Sequence, residues 1–390
     1  MSRVVKPVVK LRKQFAATNT QGNSATNKRP PKTADMLKAA RLFYKDGLTQ
    51  GKIAAELGTY AKRVRLMLRE AKRLGLVRIE ICDPRTDALV ALEEKIGAEF
   101  GHLVKVKVVP GGEIETEKEY SELLRRWASE AATYFDTLVD DGKKHNVGFS
   151  GGETLLEVAN ALPVRDRDKV TFHATAFIGR GRLEKSSHVE PTTVVNVAWA
   201  RSGRLPGHCQ YATVPPYDHV GSRFDILREV NSLGTRKPIA EVIKELNQLD
   251  IAFASLGLVN PGNTSLAHNR LSMFGLLQAS GITPKELTNE GAVGDLSYCL
   301  FDDAGQENPV DKEKEVKLSK SKWRLFLTAG HHDPQSQGVE FYRQMVEKGG
   351  KVIVIAGTYK VRAIQAALKN QLFNVLITDE QSAKQLVAMK

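Results

Sequence analysis

The chain is predicted to be an α/β protein, with a small N-terminal helix-turn-helix and a strand after it, then a larger domain on a mainly parallel sheet. Three observations carry that expectation. Residues 48–81 hold two helical patterns around a glycine, followed by an alternating run. From residue 103 onward, short apolar runs alternate with amphipathic stretches. Such alternation builds a parallel sheet covered by helices on both faces. Several apolar runs also end in polar, glycine-containing turns, where open parallel sheets bind ligands.

The N-terminal pattern is LTQGKIAAELGTYAKRVRLMLREAKRLGLVRIEI. Thr49 can cap a short helix that begins at Gln50 and turns Ile53, Ala54 and Leu57 inward. Gly58 ends it, and Thr59 can cap a second helix. Val64, Met67, Leu68, Ala71 and Leu74 recur there at helical spacing. Lys62, Arg65, Arg69 and Lys72 form another face, with Arg63 and Arg73 beside them. Glu70 is the single acid between Tyr60 and Arg78. A solvated surface helix also carries charge runs. Here the run lies on the second helix of a turn of the right length, which points to a recognition helix on double-stranded DNA. Tyr60, Lys62, Arg63 and Arg65 would reach bases or nearby phosphates, Arg69, Lys72 and Arg73 would lie on phosphate, and Thr49 and Gln50 belong to the same expected DNA-binding set. Residues 35–46 give a preceding helix with Leu37, Ala40, Phe43 and Tyr44 inward. Val77, Ile79 and Ile81 alternate as the strand of a wing before Asp83-Pro84 closes the domain.

Residues 1–34 contain eight cations and no acid, and their middle is polar. This tail is expected to be disordered. An arm on phosphate and a solubilising tail both fit it. The expected domains are thus a 1–34 tail, a 35–84 DNA-binding domain and an 85–390 effector and assembly domain.

Composition sets bounds. With 390 residues and 42% hydrophobic content the chain can bury a large core. A net charge of +12 favours an anionic partner. Cys82, Cys209 and Cys299 are scattered in no metal-ligand spacing, the pattern of reduced thiols in an intracellular protein. No apolar run approaches the roughly 18 residues that span a bilayer. The basic N-terminus lacks the apolar stretch of a secretory signal. His331-His332-Asp333 is a polar loop rather than a metal site, since no third ligand is placed by sequence. Neither a GxSxG elbow nor a GxxxxGK[ST] loop occurs. No metal, cofactor or membrane partner is expected.

In the larger domain, strands are expected at 103–109, 145–149, 170–178, 193–200, 251–259, 351–357 and 374–379. Helices are expected at 86–101, 117–140, 152–162, 220–232 and 238–247, after 357, and from 380. Four strand ends could hold a ligand. GFSGGET at 148–154 offers backbone N–H groups at a helix start, with Ser150 and Thr154 as hydroxyl donors. Gly-Gly equally makes ordinary turns. FIGRGR at 177–182 carries Arg180 and Arg182 for an anion. GLVNPGNTS at 257–265 and IAGTYK at 355–360, with Lys360, complete the set. Several such ends in one domain point to a polar, phosphate-bearing small molecule.

At this point the sequence resembles the SorC (sugar-binding) family of bacterial transcriptional regulators, also grouped with the central glycolytic and deoxyribonucleoside (DeoR-type) regulators. The resemblance covers roughly residues 35–390. It rests on FYKDGLTQGKIAAELG with VRLMLREAKRLGLVRIEI, then VGFSGGETLLEVANALP, LPGHCQYATVPPY, ASLGL, GAVGDLSYCLFDDAG and AGTYKVRAIQAALKNQLFNVLITDEQSAKQL. It implies a winged helix-turn-helix joined to a domain similar to ribose-5-phosphate isomerase and glucosamine-6-phosphate deaminase, used for sensing. It further implies a cytoplasmic, bacterial regulator of a carbohydrate operon. The effector would be a sugar, polyol or sugar phosphate, and the assembly a homodimer or homotetramer. By position, Gly151, Gly152 and Thr154 would meet phosphate or hydroxyls, Arg180 an anion, Asp295 a sugar hydroxyl, and Lys360 would supply a cation. The chain departs from the family at Thr59-Tyr60-Ala61-Lys62-Arg63, at FIGRGRLEKSSHVEP and over 311–350. The competing reading is a sugar-phosphate isomerase or deaminase with Asp295 and Lys360 as acid and base. A cationic helix-turn-helix serves no purpose in such an enzyme.

Overall fold

The computed structural model describes residues 31–77, 86–177, 189–203, 245–259, 284–305, 327–328 and 338–389. They divide into two compact units, one ending at Lys72 and one beginning at Arg73.

The first unit holds α1 (Thr33–Tyr44), α2 (Gln50–Glu56) and most of α3 (Ala61–Arg73). Thr49 caps α2, its hydroxyl accepting from the Lys52 N–H at 3.4 Å. The stop after α2 has a defined cause. Gly58 takes φ +59°, which places its N–H on the Ala55 carbonyl and the Thr59 N–H on the Ala54 carbonyl. Those two bonds satisfy the last carbonyls of α2 and use up Thr59 in the turn. The expected Thr59 cap is therefore corrected: Tyr60 precedes α3, and its carbonyl accepts from Arg63 and Val64. Val64, Met67, Leu68 and Ala71 are buried as expected, while Leu74 is half-buried. On α1 the buried face is Met36, Ala39 and Ala40. Leu37 and Tyr44, expected inside, are exposed, so the inward stripe lies about one residue from the predicted one.

In the second unit, β1 (Lys105–Val109), β2 (His145–Phe149), β3 (Val170–Ala174), β5 (Ile251–Ala254), β10 (Lys351–Ile355) and β11 (Val375–Asp379) form one sheet. Its order is β1-β11-β10-β5-β2-β3 and every pairing is parallel. Alternate side chains enter two cores. Ile251, Phe253, Ile353, Ile355, Val375 and Ile377 face the side covered by α5 (Glu117–Val139), α6 (Glu153–Ala161) and α7 (Pro191–Arg201). Ala252, Ala254, Val352, Val354 and Leu376 face the side of α4 (Thr86–Glu99), α9 (Gly338–Glu347), α10 (Val361–Lys369) and α11 (Glu380–Ala388). Phe149 and Phe253 stack across neighbouring strands, with centroids 4.6 Å apart.

Two apolar runs expected as single strands change sheets partway. After β3, Thr175 intervenes before β4 (Ala176–Phe177), which pairs antiparallel with β9 (Leu327–Thr328). After β5, Ser255 intervenes before β6 (Leu256–Leu258), which joins β7 (Ala292–Leu296) and β8 (Cys299–Asp302) in an antiparallel sheet. A short α8 (Pro284–Asn289) precedes β7.

The expected strand at 193–200 is a helix, α7. Its run of β-branched residues suggested a strand. Pro191 at the first turn and burial of Val194, Val195, Ala198 and Trp199 at helical spacing decide otherwise. The wing strand beyond Val77, the 220–232 helix, most of the 238–247 helix, Cys82, Cys209 and His331-His332-Asp333 lie outside the described residues.

Candidate functional site

The parallel sheet has its switch point between β2 and β5. From β2 the chain moves to β3 on one side, and from β5 it continues to β10 and β11 on the other. Diverging connections leave a crevice at the carboxyl ends of those two strands. Ser150 follows β2 there and Ser255 follows β5.

One short segment ties the site together. The Ser150 hydroxyl accepts from the Ser255 N–H at 2.8 Å. The Ser255 carbonyl accepts from the Ser297 N–H at 2.7 Å. The next carbonyl, of Leu256, accepts from Lys360 Nζ at 2.6 Å. Backbone bonds from three distant parts of the chain thus meet on two residues. Ser150, a predicted ligand donor, spends its hydroxyl as an acceptor in this frame.

Asp295 lies on β7 opposite Gly257 and is 3% exposed. A Cβ at Gly257 would collide with its carboxylate, so glycine is what lets the carboxyl lie flat over β6. Oδ2 accepts from the Tyr298 N–H at 3.0 Å, and Oδ1 has no hydrogen-bond partner. Burial pushes the carboxyl up to about 6, opposed by the Tyr298 N–H and by the charge of Lys360. Burial likewise lowers the Lys360 ammonium, and Asp295 draws it back up. The structure therefore brings together two of the predicted residues, the enclosed Asp295 and the part-buried Lys360, as an electrostatically coupled pair. A buried acceptor without a partner is costly in an apolar surrounding. It suits a ligand that brings hydroxyl donors.

Gly151, Gly152 and Thr154 lie where β2 passes into α6. One glycine N–H already has an internal partner, since Gly152 donates to the Val189 carbonyl at 2.8 Å, and the Tyr298 hydroxyl lies against Gly151 where a Cβ would collide with it. Thr154 is half-buried on the first turn of α6. Arg180 lies outside the described residues.

Sequence reasoning missed Tyr298, Ser297, Ser255, Thr175 and Tyr342. Ser297 and Tyr298 are the two central residues of the β7–β8 hairpin, with φ +49° and +70°. Two residues between apolar strands are a hairpin signal, and the run AVGDL-SY-CLFD carries it. Ser297 Oγ, Thr175 Oγ1 and the Tyr342 hydroxyl are buried, and the Ser297 and Thr175 hydroxyls oppose the burial that pushes the Tyr342 hydroxyl up. They form a hydroxyl cluster behind Asp295.

In the first unit, Thr49 and Tyr60 are exposed, and Gln50 opens α2 half-buried. Lys62, Arg65, Arg69, Lys72 and Arg73 are exposed, and Arg63 is half-buried. Arg69 is paired with Glu70 at 3.9 Å, and Lys72 Nζ stands 5.7 Å over the Tyr44 ring. α3 thus presents one apolar and one cationic side.

Comparisons with known proteins place this architecture. Residues 85–318 and 339–388 match the family model described as "Putative sugar-binding domain". The chain belongs to that sugar-binding, SorC-type family. It is 26% identical over 355 residues to the deoxyribonucleoside regulator of Bacillus subtilis (strain 168), covering 90% of this chain and 96% of that protein. It is 27% identical over 356 residues to the sorbitol operon regulator of Klebsiella pneumoniae, covering 90% and 97%. The solved full-length sorbitol operon regulator SorC from Klebsiella pneumoniae shares the fold, with a TM-score of 0.55 at 22% identity over 90% of this chain and 98% of that one.

Proposed function

We propose that this chain is a DNA-binding transcriptional regulator that controls a carbohydrate operon in response to a sugar, polyol or sugar phosphate. The observation that carries the reading is the buried Asp295 carboxylate, with one unpartnered oxygen and Lys360 beside it, at the sheet's switch point. Regulators of deoxyribonucleoside and sorbitol genes among its relatives support the same class.

Asp295 accepts hydroxyls of the effector and Lys360 supplies the cation. Gly151, Gly152 and Thr154 border the pocket, with Ser150 framing it, and Arg180 is assigned as a further anion contact by family resemblance alone. In this reading, residues 85–390 form the effector domain, similar to sugar-phosphate isomerases but serving binding rather than turnover. Residues 35–84 form a winged helix-turn-helix with α3 in the major groove. The 1–34 tail adds non-specific phosphate contacts. The working form is a cytoplasmic homodimer or homotetramer. An effector that binds one arrangement of the assembly more tightly than another changes operator affinity by that difference.

A thermal-shift screen of sugars, polyols and their phosphates tests the reading, because a bound ligand stabilises the folded chain by mass action. Hits are then added to an operator-binding assay at stated salt. Asp295→Ala is expected to keep DNA binding and lose the response. A mutant that responds at the wild-type concentration removes the assigned site. Turnover of a pentose or hexose phosphate by the purified protein would favour the enzyme instead.

A further inference from the structure

The cradle at the start of α6 is filled from inside the protein. The Tyr298 hydroxyl lies against Gly151, and a Cβ on Gly151 would collide with that hydroxyl and with the Val189 carbonyl. Gly152 donates to Val189. An incoming phosphate therefore finds the Gly152 N–H taken and Gly151 covered by the Tyr298 hydroxyl. It also meets acids, since the carboxylates of Asp295 and Glu190 both face Tyr298. The cation facing Asp295 among the described residues is Lys360, itself part-buried and tied to the Leu256 carbonyl. Meanwhile Asp295 Oδ1 stays open, buried without a partner.

The occupant is held in place. Tyr298 is 2% exposed with φ +70° in the second central position of the β7–β8 turn. Asparagine and glycine are the usual residues of such turns, and a bulky side chain there is strained. The strain persists because the ring is enclosed, its backbone N–H donates to Asp295 and its hydroxyl is packed against Gly151.

We propose that Tyr298 is a specificity residue that occupies the anion cradle, so that this pocket selects an unphosphorylated sugar or polyol over its phosphate ester. The proposal deepens the functional reading above and rests on it for the identity of the pocket. The steric and hydrogen-bond claim about the cradle is tested without any sugar.

Inorganic phosphate is the first probe, against chloride at matched ionic strength, in thermal melts of the full chain. The wild-type protein is expected to show no stabilisation beyond chloride. Tyr298→Gly, which relieves the turn and empties the cradle, is expected to gain a phosphate-dependent rise in Tm. Tyr298→Phe keeps the ring but removes the hydroxyl that covers Gly151, and is expected to gain a smaller phosphate-dependent rise than Tyr298→Gly. Equal phosphate stabilisation of wild type and Tyr298→Gly overturns the proposal, and so does a folded Tyr298→Gly that gains none. Should Tyr298→Gly not fold, the wild type still decides through matched pairs, each polyol or sugar with its own phosphate ester. The expected preference for the unphosphorylated member is at least about tenfold. A preference for the ester overturns the proposal. Absence of binding by every pair, with the phosphate arm as expected, removes the sugar-sensing reading and leaves Tyr298 as the cradle's occupant.

Discussion

Lys62, Arg65 and Arg69 on α3 stand in water, whereas Asp295 is enclosed on β7 with the part-buried Lys360 beside it. Both regions use charge, under different physics. On α3 the charges are cheap to maintain, solvated and weakly coupled, as surface ions are. They gain value only against a polyanion. Around Asp295 the same type of group costs stability, because burial opposes its ionisation. An exposed array can be built by any amphipathic helix. An enclosed acid with an unpartnered oxygen persists only if a ligand or a mechanism justifies it, and so it is the more informative of the two.

The largest expected effect tests that contrast directly. The Asp295 carboxyl titrates at about 6 in the folded chain against an ordinary value of 3.8. A raised acid stabilises the fold while protonated, so its contribution is present at low pH and is lost as pH rises through about 6. A shift of about two units corresponds to about 3 kcal/mol. Wild type should therefore lose stability relative to Asp295→Asn between about pH 4 and pH 7, read as diverging urea midpoints. Parallel midpoints would mean that Asp295 is as easily charged as a surface acid, and the contrast would fail.

The next effect belongs to the exposed side. Arg63→Ala and Arg65→Ala should each cost about 1–3 kcal/mol of operator binding and relax sequence preference. The measurement is the ratio of operator to non-specific affinity at fixed salt. An unchanged ratio would show that these arginines do not read bases.

The contrast also explains what could be read from the residues alone. α3 was legible because its period and its charge both repeat locally. β10 was legible from residue 351 because KVIVI is a nearly unbroken apolar run, as a buried parallel strand is. Asp295, Lys360 and the GFSGGET turn were picked out as candidates, by strand-end position and by family resemblance. Their joint frame was not, because it depends on Ser255 and Leu256, whose bonds reach residues 150, 297 and 360. No local pattern shows that 251–259 and 170–178 each leave the parallel sheet at one small polar residue, or that Tyr298 ends beside Gly151. α7 misled for the opposite reason: its local pattern of Val and Thr was clear, and tertiary packing against α6 and β3 overrode it.

The smallest expected effect separates two cations on one helix. Arg69 is paired with Glu70 and its side chain is 74% exposed, whereas Lys72 covers the Tyr44 ring. If both lie on phosphate, Arg69→Ala and Lys72→Ala should weaken specific and non-specific DNA alike, each lowering the salt slope by about 1. Lys72→Ala should in addition lower thermal stability by about 0.5 kcal/mol, because the contact over Tyr44 joins α3 to α1. Arg69→Ala should leave stability within experimental error, since exposed pairs contribute little. A salt slope unchanged in both variants would assign the outer cations of α3 to solubility, and the face on DNA would shrink to its first turns around Tyr60, Arg63 and Arg65.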